Sequence, residues 1–280
     1  MIAVRRLTLA DLPLVLRLRA QAGWNQTEAD LRRFFDLSGE GSFIAEWDGQ
    51  PAGTVCTFVF GSTAWIAMML VEEALRGRGI GKALMQRALA FLDERRVERV
   101  RLDATPLGRP LYEKLGFVAE YTVLRHAGEV TVTGPPLDTR ATTATEDQLR
   151  RAIHLDARVT DADRGEFLQR LYGERPDLFR VIGHKGHVDG FVAMRPGERA
   201  WFIGPCLATP AVGPQLLADA FRPMEKKVVY LDIPENNPGP IAAAEASGLK
   251  VQRVLTRMCR GPRPAERTDM IWASSGPEKG

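Results

Sequence analysis

The sequence predicts an α/β (α+β) chain built as two tandem halves, and three observations carry that prediction. Short apolar runs of strand length alternate with amphipathic stretches of helical period along all 280 residues. The order of these segments repeats once, past a break at Gly134-Pro135-Pro136. Between them, Arg76-Gly77-Arg78-Gly79-Ile80-Gly81 joins the apolar run 64–71 to a helical pattern over 82–92, which reads strand, glycine turn, helix.

In the first half, residues 2–7 suit a strand. Residues 9–22 and 28–37 suit amphipathic helices with Asp11 and Thr27 as N-caps. Residues 42–47 and 53–60 form a hairpin across Asp48-Gly49. Then come the strand 64–71, the glycine turn, a helix over 79–94 and a strand over 100–104. A helix carrying Tyr112 ends at Gly116, where a left-handed terminator fits, and a last strand spans 117–126. This half, 1–130, reads as complete in itself. The second half, 138–280, repeats the order. Helices from Glu146 and over 166–172 precede a hairpin of 179–184 and 188–194 that turns near Lys185-Gly186. A strand 200–203, a helix 216–221, a strand 228–233, a helix 241–246 and a strand 251–258 follow. The tail beyond Pro262 has room for one more strand.

Composition narrows the class of protein. With 45% hydrophobic and 26% charged residues the chain is globular, and a net charge of +3 spread along it argues against a nucleic-acid partner. The densest basic run, Glu94 to Arg101, is interleaved with acids and reads as a solvated helix end. Cys56, Cys206 and Cys259 are too far apart for a C-x-x-C unit, so reduced thiols in a cytoplasmic protein are expected. No stretch reaches about 18 apolar residues and no leader-like segment opens the chain, so no membrane partner is expected. His184 and His187 straddle a turn with no ligands nearby in sequence, so no metal is expected.

The glycine turn clears side chains from a helix start. It leaves N–H groups and the positive end of the helix dipole open, with Arg76, Arg78 and Lys82 around them, an arrangement suited to a multiply charged phosphate ligand. A dinucleotide G-x-G-x-x-G fails in both registers, because Lys82 and Leu84 stand at the sixth position. A Walker A loop fails as well: Arg76 replaces its first glycine, and Ala83 replaces the hydroxyl residue after Gly81-Lys82. The remaining pattern, [QR]-x-x-G-x-[GA] at Arg76, Gly79 and Gly81, resembles the pyrophosphate loop of the GNAT superfamily of N-acetyltransferases. Further on, Leu111-Tyr112-Glu113-Lys114-Leu115-Gly116-Phe117 resembles that family's L-Y-x-x-x-G-F segment.

The resemblance implies two tandem GNAT-like domains, each a mixed, mostly antiparallel twisted sheet flanked by helices. It implies acetyl-CoA as co-substrate and a small-molecule or peptide amine as acceptor, attacked directly on the acetyl carbon. The backbone at Met69, Leu70 and Val71 would bind the pantetheine and polarise the thioester carbonyl, a donor role worth about 3–4 kcal/mol in known enzymes. Arg76, Gly77, Arg78, Gly79, Ile80, Gly81 and Lys82 would hold the pyrophosphate, and Thr105 would add a coenzyme contact. Tyr112 would face the sulfur as general acid to the departing thiolate. Thr105 and Gly108 depart from the family's frequent Asn and Ala, which alters a coenzyme contact and a helix start.

Comparing the halves separates their roles. Opposite the glycine turn the second half has Ala208-Thr209-Pro210-Ala211-Val212-Gly213. The arginine is gone, and Pro210 and Pro214 remove N–H donors. Opposite Tyr112 stands Ala244. The second half therefore reads as degenerate, serving as a scaffold or as a wall of the acceptor site. For the acceptor, Trp24, Asn25 and Gln26 form a polar-aromatic segment between the first two helices, and Asp232, Glu235, Asn236 and Asn237 cluster at a strand end. An amine with a pKa of about 10.4 costs roughly 4.6 kcal/mol to deprotonate at pH 7. Glu72, Glu73 and Asp103 are positional candidates for a base, with none singled out. A sensor that binds acyl-CoA without turnover, and transfer of a bulkier acyl group, both stay open, as does the oligomeric state.

Overall fold

The computed structural model describes residues 1–132, 140–184 and 186–280. The break at Gly134-Pro135-Pro136 and the turn position Lys185 lie outside the described residues. The first half contributes β1 (Ile2–Arg6), α1 (Leu12–Gln21), α2 (Glu28–Ser38), β2 (Phe43–Trp47), β3 (Gln50–Phe60), β4 (Thr63–Val71), α3 (Ile80–Glu94), β5 (Arg99–Ala104), α4 (Arg109–Lys114) and β6 (Val118–Glu129). The second contributes β7 (Thr142–Thr143), α5 (Glu146–Thr160), α6 (Gly165–Glu174), β8 (Phe179–His184), β9 (His187–Arg195), β10 (Trp201–Ala208), α7 (Gly213–Phe221), β11 (Val228–Pro234), α8 (Pro238–Ala246), β12 (Lys250–Arg260) and β13 (Ile271–Ala273). The sheet is mixed and mostly antiparallel, with helices packed against it.

Local chemistry accounts for the element starts. The Thr27 hydroxyl accepts the Asp30 N–H at 3.1 Å and the Asp30 carboxylate accepts the Thr27 N–H at 2.9 Å, a reciprocal cap that starts α2. Thr145 and Gln148 repeat the device at α5. Asp11 differs from expectation: its carboxylate accepts the Thr8 N–H at 2.8 Å, and residues 9–11 form a 3-10 turn ahead of α1. Asp48 and Gly49 have φ of 49° and 78°, the left-handed pair that a tight β2–β3 hairpin needs.

The two halves share one sheet, ordered β1-β2-β3-β4-β5-β12-β6-β11-β10-β9-β8-β7. Each strand of the first half has its counterpart at the mirrored place, and the centre falls between β12 and β6. The expectation that the first half is complete in itself needs correction. Strand β12 of the second half pairs with β5, and β6 of the first half pairs with β11. Each half therefore gives its last long strand to the other's sheet.

Buried ion pairs mark the exchange. Arg257 on β12 donates to both Asp103 oxygens on β5 at 2.9 Å, and Arg125 on β6 donates to both Asp232 oxygens on β11 at 2.7 Å. The side chains of Asp103, Arg257 and Asp232 are all 0% exposed. Bidentate geometry is what lets such charges leave water, because an unpaired charge at these sites would be costly.

The core has three parts. Helices α3 and α4 cover the first half's strands, α7 and α8 cover the second's, and α1, α2, α5 and α6 share one apolar cluster across the boundary. Residues 274–280 run into this shared region. Arg164 donates to the Ser275 hydroxyl at 2.7 Å and to the carbonyls of Lys279 and Gly280, and Trp65 Nε1 donates to the Pro277 carbonyl at 2.9 Å. The Lys279 ammonium lies 4.2 Å from the Phe34 ring centre and 5.0 Å from that of Phe167, with no hydrogen-bond acceptor among the described residues.

Burial pushes the Lys279 pKa down to about 7, and the carboxylate of Glu278 offsets part of that. Between pH 7 and about 10.4 the unfolded chain therefore binds more protons at this site than the folded one, so its contribution to stability rises with pH. Lys279→Met is expected to stabilise the protein at pH 7 by about 1–4 kcal/mol, with the gain shrinking toward pH 10. Urea unfolding at the two pH values checks this, and destabilisation at pH 7 would mean that the aromatic cage favours the ammonium.

Candidate active site

Strands β4 and β5 run parallel for three residue pairs, ending at Trp65↔Arg101, and then part. Beyond that point the β5-facing edge of β4 has no strand partner, and a cleft of about 650 Å³, open to solvent, fills the gap. A bulge shapes this edge. Thr54 pairs with Leu70 and Cys56 with Ala67, so β4 carries one extra residue, and Met68 takes a φ of 51°. The Thr54 hydroxyl fixes the bulge by donating to the Met68 carbonyl at 2.9 Å. Met69 lines the cleft, and Leu70 and Val71 continue the strand toward the glycine turn.

Helix α3 opens at that turn. Gly77 and Gly79 have φ of 78° and 85°, where a side chain would be strained. Gly81 is glycine for closeness: a Cβ there would lie 3.2 Å from Met69 Cε. Among the described residues, no backbone carbonyl accepts from the N–H groups of Gly77 through Lys82. The mouth is open, since nothing lies within 4 Å of where a Cβ of Gly77 would stand. Arg76 donates to the Val71 carbonyl at 3.3 Å, which ties the turn to β4, and the Arg78 guanidinium lies 5.4 Å from the Trp47 ring centre.

Tyr112 projects from α4 to the cleft wall, edge-on to Phe117 at 6.1 Å between centroids. Burial pushes its phenol up to about 12, so the hydroxyl stays protonated at any physiological pH. No group among the described residues hydrogen-bonds it. Gly108 now has a reason: a Cβ there would stand 2.9 Å from Tyr112 Cε2, so alanine would force the ring to move. Thr105 lines the cleft too, but its hydroxyl accepts the Gly108 N–H at 3.2 Å and so closes the turn into α4.

Trp24, Asn25 and Gln26 all border the cleft. Asn25 is committed to structure: its amide binds the Ala200 carbonyl at 3.0 Å and the N–H groups of Arg199 and Ala200 at 2.9 and 3.0 Å. Gln26 donates to the Glu278 carboxylate. The three carboxylates raised from sequence are engaged or remote. Glu72 binds Arg17 at 2.7 Å and Gln21 at 3.0 Å, Glu73 is exposed beside Arg76, and Asp103 is held by Arg257. Asp232 is likewise spent on Arg125, and Asn237 holds the carbonyls of Thr268, Asp269 and Ile271. Sequence reasoning missed Arg125, Arg253, Leu255, Pro277 and Glu278, which form the far wall. Nothing local in the sequence placed residues 277–278 in a cleft.

The corresponding gap in the second half is filled. Strands β10 and β11 also part after two pairs, and there β13 enters, pairing Cys206↔Ala273 and Leu207↔Ile271, while the Ser274 N–H donates to the Asp232 carbonyl at 2.8 Å. The Trp272 ring covers the start of α7 so tightly that a Cβ on Gly213 would fall inside it. Among the described residues no comparable segment pairs into the β4–β5 gap. Among the described residues no cluster of three or more His, Cys, Asp or Glu could hold a metal. His184 and His187 both face Asp189, at 3.1 and 3.6 Å. The three cysteines are buried, unpaired thiols. No described helix is long and apolar enough to cross a membrane.

Comparison with known proteins agrees with this architecture. Residues 9–117 match the model of the acetyltransferase (GNAT) family, and residues 152–273 match a second acetyltransferase (GNAT) domain model. Holothin acyltransferase of Pseudoalteromonas sp. (strain SANK 73390) is 26% identical over 92% of this chain and 87% of its own. The uncharacterized N-acetyltransferase YitH of Bacillus subtilis (strain 168) is 26% identical over 63% of this chain and 62% of its own. Among solved structures, a Pyrococcus horikoshii protein assigned to the acetyltransferases superposes with a TM-score of 0.84 at 23% identity, covering 100% of this chain and 96% of that one. A tandem GNAT protein from the clavulanic acid biosynthesis pathway gives 0.65 at 14% identity, covering 94% and 100%. The chain belongs to the GNAT family as a tandem-domain member and is a CoA-dependent acyltransferase.

Proposed function

We propose that the first half transfers the acetyl group of acetyl-CoA to a primary amine, and that the second half is degenerate. The observation that carries this reading is the contrast between the two β-strand gaps: one open beside a bare helix mouth, the other filled by β13 and Trp272. On this reading residues 1–130 form the catalytic domain, and 138–280 supply scaffold and the far wall of the acceptor site.

The residues fit the coenzyme. The N–H groups of Gly77–Lys82 present unsatisfied donors at a helix start, where a pyrophosphate is stabilised by both hydrogen bonds and the dipole. Arg76 and Lys82 add charge, and the unpartnered edge at Met69–Val71 offers backbone groups to a pantetheine amide. Acetyl-CoA would supply the activated acyl carbon. Transfer forms one N–C bond and breaks one C–S bond. Of the two protons that an ammonium acceptor loses, one ends on the thiol and the other leaves to solvent or a carboxylate. Tyr112 donates to the departing sulfur. Its phenol near 12 is about 3.5 units above an ordinary thiol, so complete proton transfer is opposed by about 4.8 kcal/mol unless the site raises the thiol as well. Donation of a hydrogen bond to the developing thiolate is therefore its main contribution. The holothin acyltransferase relative bears a name that refers to an acyl group in general, so a longer acyl donor belongs in the assay.

The test is release of CoA thiol from acetyl-CoA with a panel of amines, amino acids and peptides. Gly79→Pro with Arg76→Ala should raise the Kd for CoA at least about tenfold, and changes at Pro210 or Ala211 should leave it unaltered. Tight CoA binding with no thiol release across the panel would favour the non-catalytic sensor.

A further inference from the structure

One charge on the acceptor wall is left without a partner among the described residues. Arg253 lies on β12 directly opposite Arg125 on β6, so the two guanidinium groups share one face of adjacent antiparallel strands. Like charges in that register repel. Arg125 is compensated by its bidentate bond to Asp232. Arg253 is half-buried at the cleft and makes no hydrogen bond or ion pair among the described residues. Burial first, and the charge of Arg125 second, push its pKa down, which is the signature of a cation lacking its counter-ion. The carboxylate on the same wall, Glu278, is 6% exposed and is compensated. One of its carboxylate oxygens accepts from Gln26; the other is buried without a hydrogen-bond donor, 3.9 Å from the Lys279 ammonium. The remaining charges on the wall are cancelled, since Asp103 is neutralised by Arg257.

We infer that the acceptor is an amine that also bears a carboxylate, and that this carboxylate rests on Arg253. An amine without a carboxylate would leave the half-buried guanidinium of Arg253 without a counter-ion. A planar carboxylate matches the guanidinium fork and relieves the Arg125–Arg253 repulsion. Arg253, Pro277 and Glu278 all come from the second half. The degenerate copy thereby sets specificity for a reaction whose coenzyme is held by the first. The inference rests on the proposed transferase activity and adds the substrate class to it.

The test pairs each amino acid or amino-terminal peptide acid with its carboxamide and measures kcat/KM for acetyl transfer by wild type, Arg253→Gln and Arg253→Lys. Wild type should prefer the acids over their amides by about 10- to 100-fold, mostly through KM. Arg253→Gln should abolish the preference by lowering kcat/KM for the acids toward the value for the amides, and Arg253→Lys should restore part of it. Equal rates for acids and amides in wild type would overturn the substrate class and leave acetyl transfer standing, as would a preference that survives in Arg253→Gln. No turnover in either series, with CoA bound, would overturn both.

Discussion

Replacing Tyr112 by phenylalanine is expected to lower kcat for acetyl transfer about 100- to 1,000-fold, with KM for acetyl-CoA changed by no more than about twofold. The substitution is close to silent structurally. The ring keeps its edge-on contact with Phe117, and no protein group loses a partner because none binds the hydroxyl. What is lost is a donor aimed at a charge that exists only as the thiolate leaves, so the deficit falls on kcat. The pH profile gives an independent readout. The competent form of Tyr112 is the protonated one, lost only as pH rises toward about 12. Wild-type kcat should therefore show no falling limb below about pH 11 from this group. A Tyr112→Phe variant within threefold of wild type would remove the tyrosine from the chemistry.

Asp103→Ala is expected to destabilise the protein by about 3–5 kcal/mol, because it removes the bidentate carboxylate of the buried Arg257 guanidinium and leaves Glu266, 3.8 Å away, as its only carboxylate. The expectation is specific to removing one partner. Asp103→Leu with Arg257→Met removes both charges, and most of the loss should be recovered, giving a large favourable coupling in urea-unfolding measurements. Tyr121 also accepts from Arg257 at 2.8 Å, so recovery stops short of complete. If the single change costs under about 1 kcal/mol, or if the two changes simply add, the pair does not hold the exchanged strand in place. Since β12 also carries Arg253 and Leu255, loosening it should raise KM for the acceptor before it affects coenzyme binding.

Local elements were legible in the sequence because local chemistry sets them. The Thr27 cap, the Asp48-Gly49 hairpin, the left-handed Gly116 and the glycine-opened α3 each need particular residues at particular spacings. Strand neighbours were not legible. The apolar pattern of β6 or β12 fixes which face is buried but not which strand lies alongside, so the exchange between halves left no local trace. One indirect signal existed. Arg125 and Arg257 stand in apolar strands, Asp103 and Asp232 stand in matching strands of the other half, and buried arginines require such partners. The tail Ser274–Gly280 was illegible for a different reason. Its Ser, Gly, Pro, Glu and Lys residues read as a surface loop, and it is buried because Arg164, Arg195 and three phenylalanines receive its polar groups. Hence the glycine-turn side of the cleft was readable, whereas its far wall was largely not.

The most direct test of the central claim, that the first half alone holds the coenzyme, is a crystal structure of the complex with acetyl-CoA. One coenzyme per chain is predicted, its pyrophosphate on the amides of Gly77–Lys82 and its thioester beside Met69 and Tyr112, with Trp272 still covering the start of α7. A coenzyme bound between β10 and β11, or a second one displacing β13, would contradict the account.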